Sequence, residues 1–176
     1  MATTYYVKIN IEVAGTAYSG GGTSKSLAGH MWYEIYEKDS NGNIISGDGK
    51  QLNAGYTSHG VVDNDGTAYA GNPAYSSKEI AISQEQFNTL FNFGSPKVSN
   101  LSTQNGFGND DYNVLTNSCI DYVWKALELA GINDSAFQGD LMPRWNRDDL
   151  DRLLGTGTYN DYHKLTLSER QGLHIK

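Results

Sequence analysis

Among the side chains of this 176-residue sequence, a single cysteine, Cys119, and four histidines, His30, His59, His163 and His174, are best suited to nucleophilic chemistry. One thiol excludes an intramolecular disulfide framework and every multi-cysteine zinc or iron–sulfur site. A lone cysteine is by default a small buried hydrophobe. Its alternative role is a nucleophile, and its position in the chain decides between the two. Cys119 follows Thr116-Asn-Ser118 at what reads as the first turn of the strongest helix in the sequence. A helix start offers unpaired N–H groups and about half a positive charge, which favour a thiolate and can hold the oxyanion of an acyl-transfer intermediate.

A thiolate nucleophile needs a base within hydrogen-bond reach. His174 lies two residues from the end, and His163 follows the polar Tyr159-Asn-Asp-Tyr162; both read as surface residues. His30 is different, because it follows Ala28-Gly29 and opens a run of strand-forming residues, Met31-Trp-Tyr-Glu-Ile-Tyr36. A strand can hold such a ring rigidly at the edge of a cleft. The alternative for His30 is a half-buried strand histidine bonded to a backbone carbonyl.

The elements needed to position these groups are legible in the periodicity. Residues 4–13 alternate, with Tyr5, Val7, Ile9, Ile11 and Val13 on one face and Tyr6, Lys8, Asn10 and Glu12 on the other, the signature of a strand. A glycine-rich stretch follows, then the strand from His30. A turn at Asn41-Gly-Asn43 returns the chain to a partner strand within 50–58. A short strand at 78–82 leads into a helix over about 84–93, with Ser83 and Gln86 as a capping box and Gly94 and Pro96 as stops. Ile120, Val123, Leu127 and Ala130 line one face of a helix from about Cys119 to Ala130, with Asn117 or Ser118 as its cap and Gly131 after its end. A last helix over about 146–154 starts from Asn146. No repeat or linker divides the chain, so residues 1–176 read as a single α+β domain, long enough to close a hydrophobic core.

Thirteen Lys and Arg against 20 Asp and Glu leave a net charge of −7, with no concentrated basic face. That balance argues against nucleic acid or an anionic membrane as partner. No apolar run is long enough to span a bilayer. The start lacks a basic stretch followed by an apolar one, so the expectation is synthesis in the cytoplasm without a signal peptide. Asp63-Asn-Asp-Gly66 has a faint likeness to a calcium loop, but the remaining ligand positions do not follow, and it reads as a turn. No metal or other cofactor is expected.

Gly29-His-Met-Trp-Tyr-Glu34, followed by Tyr112-Asn-Val-Leu-Thr-Asn-Ser-Cys-Ile-Asp-Tyr-Val-Trp-Lys-Ala-Leu127, resembles the circularly permuted branch of the NlpC-type papain-like superfamily. In that branch the histidine-bearing strand precedes the cysteine-bearing helix. The pattern is similar to cysteine-hydrolase effectors of bacterial type VI secretion systems. Leu141-Met-Pro-Arg-Trp-Asn-Arg-Asp-Asp-Leu150 also looks like the Pro- and Asn-containing segment that follows the cysteine helix in such domains. The motif-bearing segments cover roughly a third of the chain.

The resemblance implies an antiparallel sheet packed against a helix that carries the cysteine at its N-terminus. It makes Cys119 the nucleophile and His30 the general base. It implies cleavage of peptide or amide bonds in bacterial peptidoglycan, work in a target-cell periplasm after secretion, and two partners, a cognate immunity protein and a component of the secretion machine. A third polar group usually orients such a histidine. Ser58 and His59, in Tyr56-Thr-Ser-His-Gly60, are the candidates, and His59 is the one expected; no acidic residue suggests itself. Two other readings stay open: a permuted papain-like lipid acyltransferase or acylhydrolase, and a non-catalytic binding module with a buried cysteine.

Overall fold

A computed structural model of the chain describes residues 2–14, 28–63, 65, 73–97, 100–135 and 137–159. His163 and His174 lie outside the described residues. Two long strands, β1 (Thr4–Glu12) and β2 (His30–Lys38), pair antiparallel along their whole length, from Thr4 opposite Lys38 to Glu12 opposite His30. That register puts His30 at the very start of its strand. The preceding Gly29 has φ +88°, and a Cβ there would stand 2.4 Å from the Glu12 carbonyl oxygen. Only glycine lets the chain enter β2 this close to β1.

Six shorter strands complete the sheet: β3 (Ile44–Ile45), β4 (Gln51–Thr57), β5 (Gly60–Val62), β6 (Tyr75–Ser76), β7 (Ile80–Ile82) and β8 (Thr158–Tyr159). The order is β5-β4-β2-β1-β6-β8, with β3 beside β2 and β7 beside β1, and every described pairing is antiparallel. Among the described residues, four α-helices follow β7: α1 (Gln84–Gly94), α2 (Leu101–Gln104), α3 (Cys119–Leu129) and α4 (Arg147–Leu154). The domain is therefore α+β, as its sequence pattern indicates. No described helix is long and apolar enough to cross a membrane.

The apolar face of β1 is realised, with Val7, Ile9 and Ile11 fully buried beside Met31, Tyr33 and Ile35 of β2, but Asn10 and Glu12 of the other face are buried as well. Helices α1 and α3 cover this face through Phe87, Leu90 and Phe93 and through Tyr122, Val123 and Leu127. Each such side chain contributes about 1.5–3 kcal/mol through its burial. Tyr33 and Tyr56 of the core gather around Tyr122, whose ring stacks with Phe93 at 4.7 Å, Tyr56 at 5.6 Å and Tyr33 at 6.1 Å. Their hydroxyls donate to main-chain carbonyls: Tyr33 to Leu90, Tyr56 to Gly108 and Tyr122 to Phe93. These bonds meet the hydrogen-bonding need of buried hydroxyls; they tie β2 and α3 to α1, and β4 to the loop at Gly108.

One capping expectation is met and two are refined. Ser83 and Gln86 do form the capping box of α1. At α3 the cap is Ser118, not Asn117; the Asn117 amide donates instead to the carbonyls of Gly106 and Asp111, tying down the loop before the helix. Asn146 makes no side-chain cap for α4, because a 3-10 turn, Pro143–Asn146, precedes that helix and the asparagine side chain points inward.

Candidate active site

Cys119 is the first residue of α3, and its cap is rigid. The Ser118 N–H and hydroxyl both donate to Asp121 Oδ2, at 2.7 and 2.9 Å, while Ser118 Oγ accepts the Ile120 N–H at 3.2 Å. Cys119, the only cysteine of the chain, is free and only 4% exposed. The helix that begins here runs into the core, so Tyr122, Val123 and Leu127 hold the position of the thiol.

His30 meets it from β2. The imidazole Nε2 lies 2.8 Å from Asp65 Oδ2, with both side chains almost wholly enclosed. The thiol of Cys119 is the second group acting on the ring, through charge and hydrogen bonding. Burial by itself would strip the proton from this histidine. The Asp65 carboxylate and the Cys119 sulfur outweigh burial, and the imidazole holds its proton well above the ordinary value of 6.5. With Nε2 committed to Asp65, Nδ1 is the ring nitrogen that can serve the thiol. Trp32, two residues along the same strand, stacks on the imidazole with ring centres 5.9 Å apart and planes at 20°. The Asp65 charge is also felt by the Tyr122 hydroxyl, which is driven well above its ordinary range by burial first, then by Tyr33 and Asp65.

Neither a family model, nor a curated protein, nor a solved structure matches this chain. Its site must be read from its own geometry.

Two of the three expected site residues come together: Cys119 and His30. His59 does not join them. It is exposed in the two-residue turn between β4 and β5, where its N–H donates to Thr57 Oγ1 at 3.1 Å. Ser58, the other candidate, is exposed in the same turn. The reason is geometric, because a tight hairpin projects its turn residues away from the strand that carries His30. The group that does contact the imidazole is Asp65, a residue of the Asp63-to-Gly66 stretch that reads in sequence as a plain turn. A signal for it exists: Asp63-Asn-Asp65 follows β5, the strand that leaves this hairpin.

The segment after α3 supports the helix from its far side. Asn146 is completely buried and accepts from Trp124 Nε1 at 2.9 Å and from the Asp140 N–H at 2.8 Å, while its amide donates to Met142 O at 2.9 Å. Among the described residues, no group of three His, Cys, Asp or Glu side chains is placed to hold a metal ion. The chemistry available to the site is that of a thiol, an imidazole and a carboxylate in line.

Proposed function

We propose that this protein is a cysteine hydrolase of the permuted papain-like type, with Cys119 as nucleophile, His30 as general base and acid, and Asp65 as the residue that orients His30. One observation carries the reading: an enclosed imidazole, bonded to a carboxylate at 2.8 Å through Nε2, shares its site with the thiol of the first residue of a helix. A histidine needed only for packing would not require a buried carboxylate that keeps it protonated. The order of elements, histidine strand before cysteine helix, agrees with the permuted arrangement that Gly29–Glu34 and Tyr112–Leu127 resemble.

In this mechanism the Cys119 proton resides on His30, and the Asp65 charge stabilises the resulting imidazolium. The thiolate attacks an acyl carbon, forming a C–S bond. The Cys119 N–H, which takes no part in the Ser118–Asp121 cap, is available to the oxyanion. Collapse breaks the C–N bond as His30 gives its proton to the leaving amine. Water, deprotonated by His30, then hydrolyses the thioester and returns the thiol.

The substrate class rests on the sequence resemblance: peptide or amide bonds of peptidoglycan, cleaved in a target-cell periplasm by a secreted antibacterial effector with a cognate immunity protein. The test is export of the protein to the periplasm of a bacterium, wild type against Cys119→Ala, with purified sacculi digested in parallel and the products weighed. Lysis and new peptide fragments from the wild type alone are expected. Equal growth and intact sacculi with both proteins would overturn the assignment. A second reading, cleavage or transfer of a lipid acyl chain, has its own support. Val114, Leu115 and Leu141, at 54%, 68% and 53% exposure, border one side of a cavity of about 150 Å³ that Ser118, Asp121, Gln138 and Asp140 also line. Phospholipid vesicles in the same assay separate the two, because acyl cleavage and acyl transfer both leave a lysophospholipid and peptidoglycan cleavage leaves none.

A further inference from the structure

We infer that Gly55 is a positioning residue of the site: the absence of its side chain makes the space in which the Asp65 carboxylate reaches His30. Gly55 lies in the middle of β4, opposite Trp32 of β2. A Cβ on Gly55 would stand 1.7 Å from Asp65 Oδ2, 3.0 Å from Asp65 Cγ and 2.9 Å from His30 Nε2. The two atoms it would strike hardest are the two partners of the 2.8 Å bond. The space therefore belongs to that bond.

The backbone does not call for glycine here. Gly55 is not among the residues with positive φ, so its conformation is one that any residue can adopt. A glycine inside a strand weakens it through entropy and lost packing, and such a position commonly marks close approach of another group. In β4 the flanking Ala54 and Tyr56 both bury side chains, and Gly55 alone gives up its own. The group that fills the gap is a carboxylate, and ordinary contact with a methyl would require it to retreat by roughly 1.7 Å. The bond to Nε2 cannot survive that displacement.

The inference rests on the catalytic reading only for its effect on activity, and its test reads the histidine directly. Gly55→Ala, Asp65→Ala and the double variant are compared with wild type by imidazole NMR titration of His30 and by the rate of iodoacetamide alkylation of Cys119 at pH 6. In Gly55→Ala, His30 is expected to lose its proton at lower pH than in wild type, and alkylation to slow about tenfold or more, the loss of a charge-assisted hydrogen bond. Adding Gly55→Ala to Asp65→Ala is expected to change less than Gly55→Ala changes the wild type, because the carboxylate 1.7 Å away is gone and only the 2.9 Å approach to His30 Nε2 remains. A Gly55→Ala protein that does not fold, rescued by Asp65→Ala, supports the same conclusion. A wild-type titration in Gly55→Ala overturns it, as does failure of the double variant to fold when Asp65→Ala alone folds. If Cys119 of the wild type resists iodoacetamide and cleaves nothing, the catalytic reading falls, while the His30 titration still decides the role of Gly55.

Discussion

Asp65→Asn is the sharpest perturbation of the site, because it keeps the size of the side chain and removes its charge. Both partners are more than nine-tenths enclosed, so solvent screens their interaction little. A hydrogen bond to a charged group contributes about 1.5–3 kcal/mol. The equilibrium between thiolate–imidazolium and thiol–imidazole should therefore move roughly 10- to 100-fold toward the neutral pair. The readout is alkylation of Cys119 by iodoacetamide across pH 5–9, followed by intact mass. The variant should be slower at the acid end and approach wild type as the thiolate forms without help.

Stability gives a second, independent reading. The folded imidazole holds its proton above its ordinary value of 6.5. Its contribution is therefore complete below that value and is lost as the pH rises through the folded one. In urea unfolding, the stability difference between wild type and Asp65→Asn should be largest near pH 6 and shrink with rising pH. At alkaline pH the wild type keeps a buried carboxylate with no cation beside it, and the difference should fall further still. A difference that widens with pH, or alkylation rates identical at every pH, would refute the proposed pairing.

Three further substitutions separate the site from its surroundings. His59→Ala removes an exposed turn residue and should change stability by no more than about 0.5 kcal/mol and leave Cys119 alkylation unaltered; a tenfold loss would mean that His59 belongs to the site after all. Ser118→Ala removes the cap of α3 and should cost about 1 kcal/mol by urea titration, with slower alkylation as the helix start loosens. Asn146→Ala deprives the Trp124 Nε1 and Asp140 donors of their acceptor inside the protein, for a loss of about 2–4 kcal/mol at an unchanged denaturant slope.

Much of the fold is readable along the chain because its causes are local. The Ser83–Gln86 capping box closes within one turn, and the alternation in residues 4–12 and the apolar face of Ile120, Val123 and Leu127 each mark a face by a short sequence period. The candidates Cys119 and His30 are legible for the same reason, one at a helix start and the other at the head of a strand behind a glycine. The short strands β5, β6 and β8 and the helix α2 are not. Strands β6 and β8 owe their existence to partners far along the chain, as Tyr75 of β6 does to Ile11 of β1 and Tyr159 of β8 to Tyr75.

By itself, then, the sequence determined an α+β pattern, a single thiol at the start of its best helix and one histidine at the head of a strand. The tertiary structure alone decided what stands behind that histidine. His59 and Asp65 are both near β4 and β5 in sequence, and nothing local distinguishes a turn residue that faces solvent from one that turns inward. The choice lies in the pairing of β4 with β2, which sets Gly55 opposite Trp32 and opens the space that the Asp65 carboxylate fills. A vacancy of one methyl group has no periodicity and no motif; it exists only once the strands are side by side.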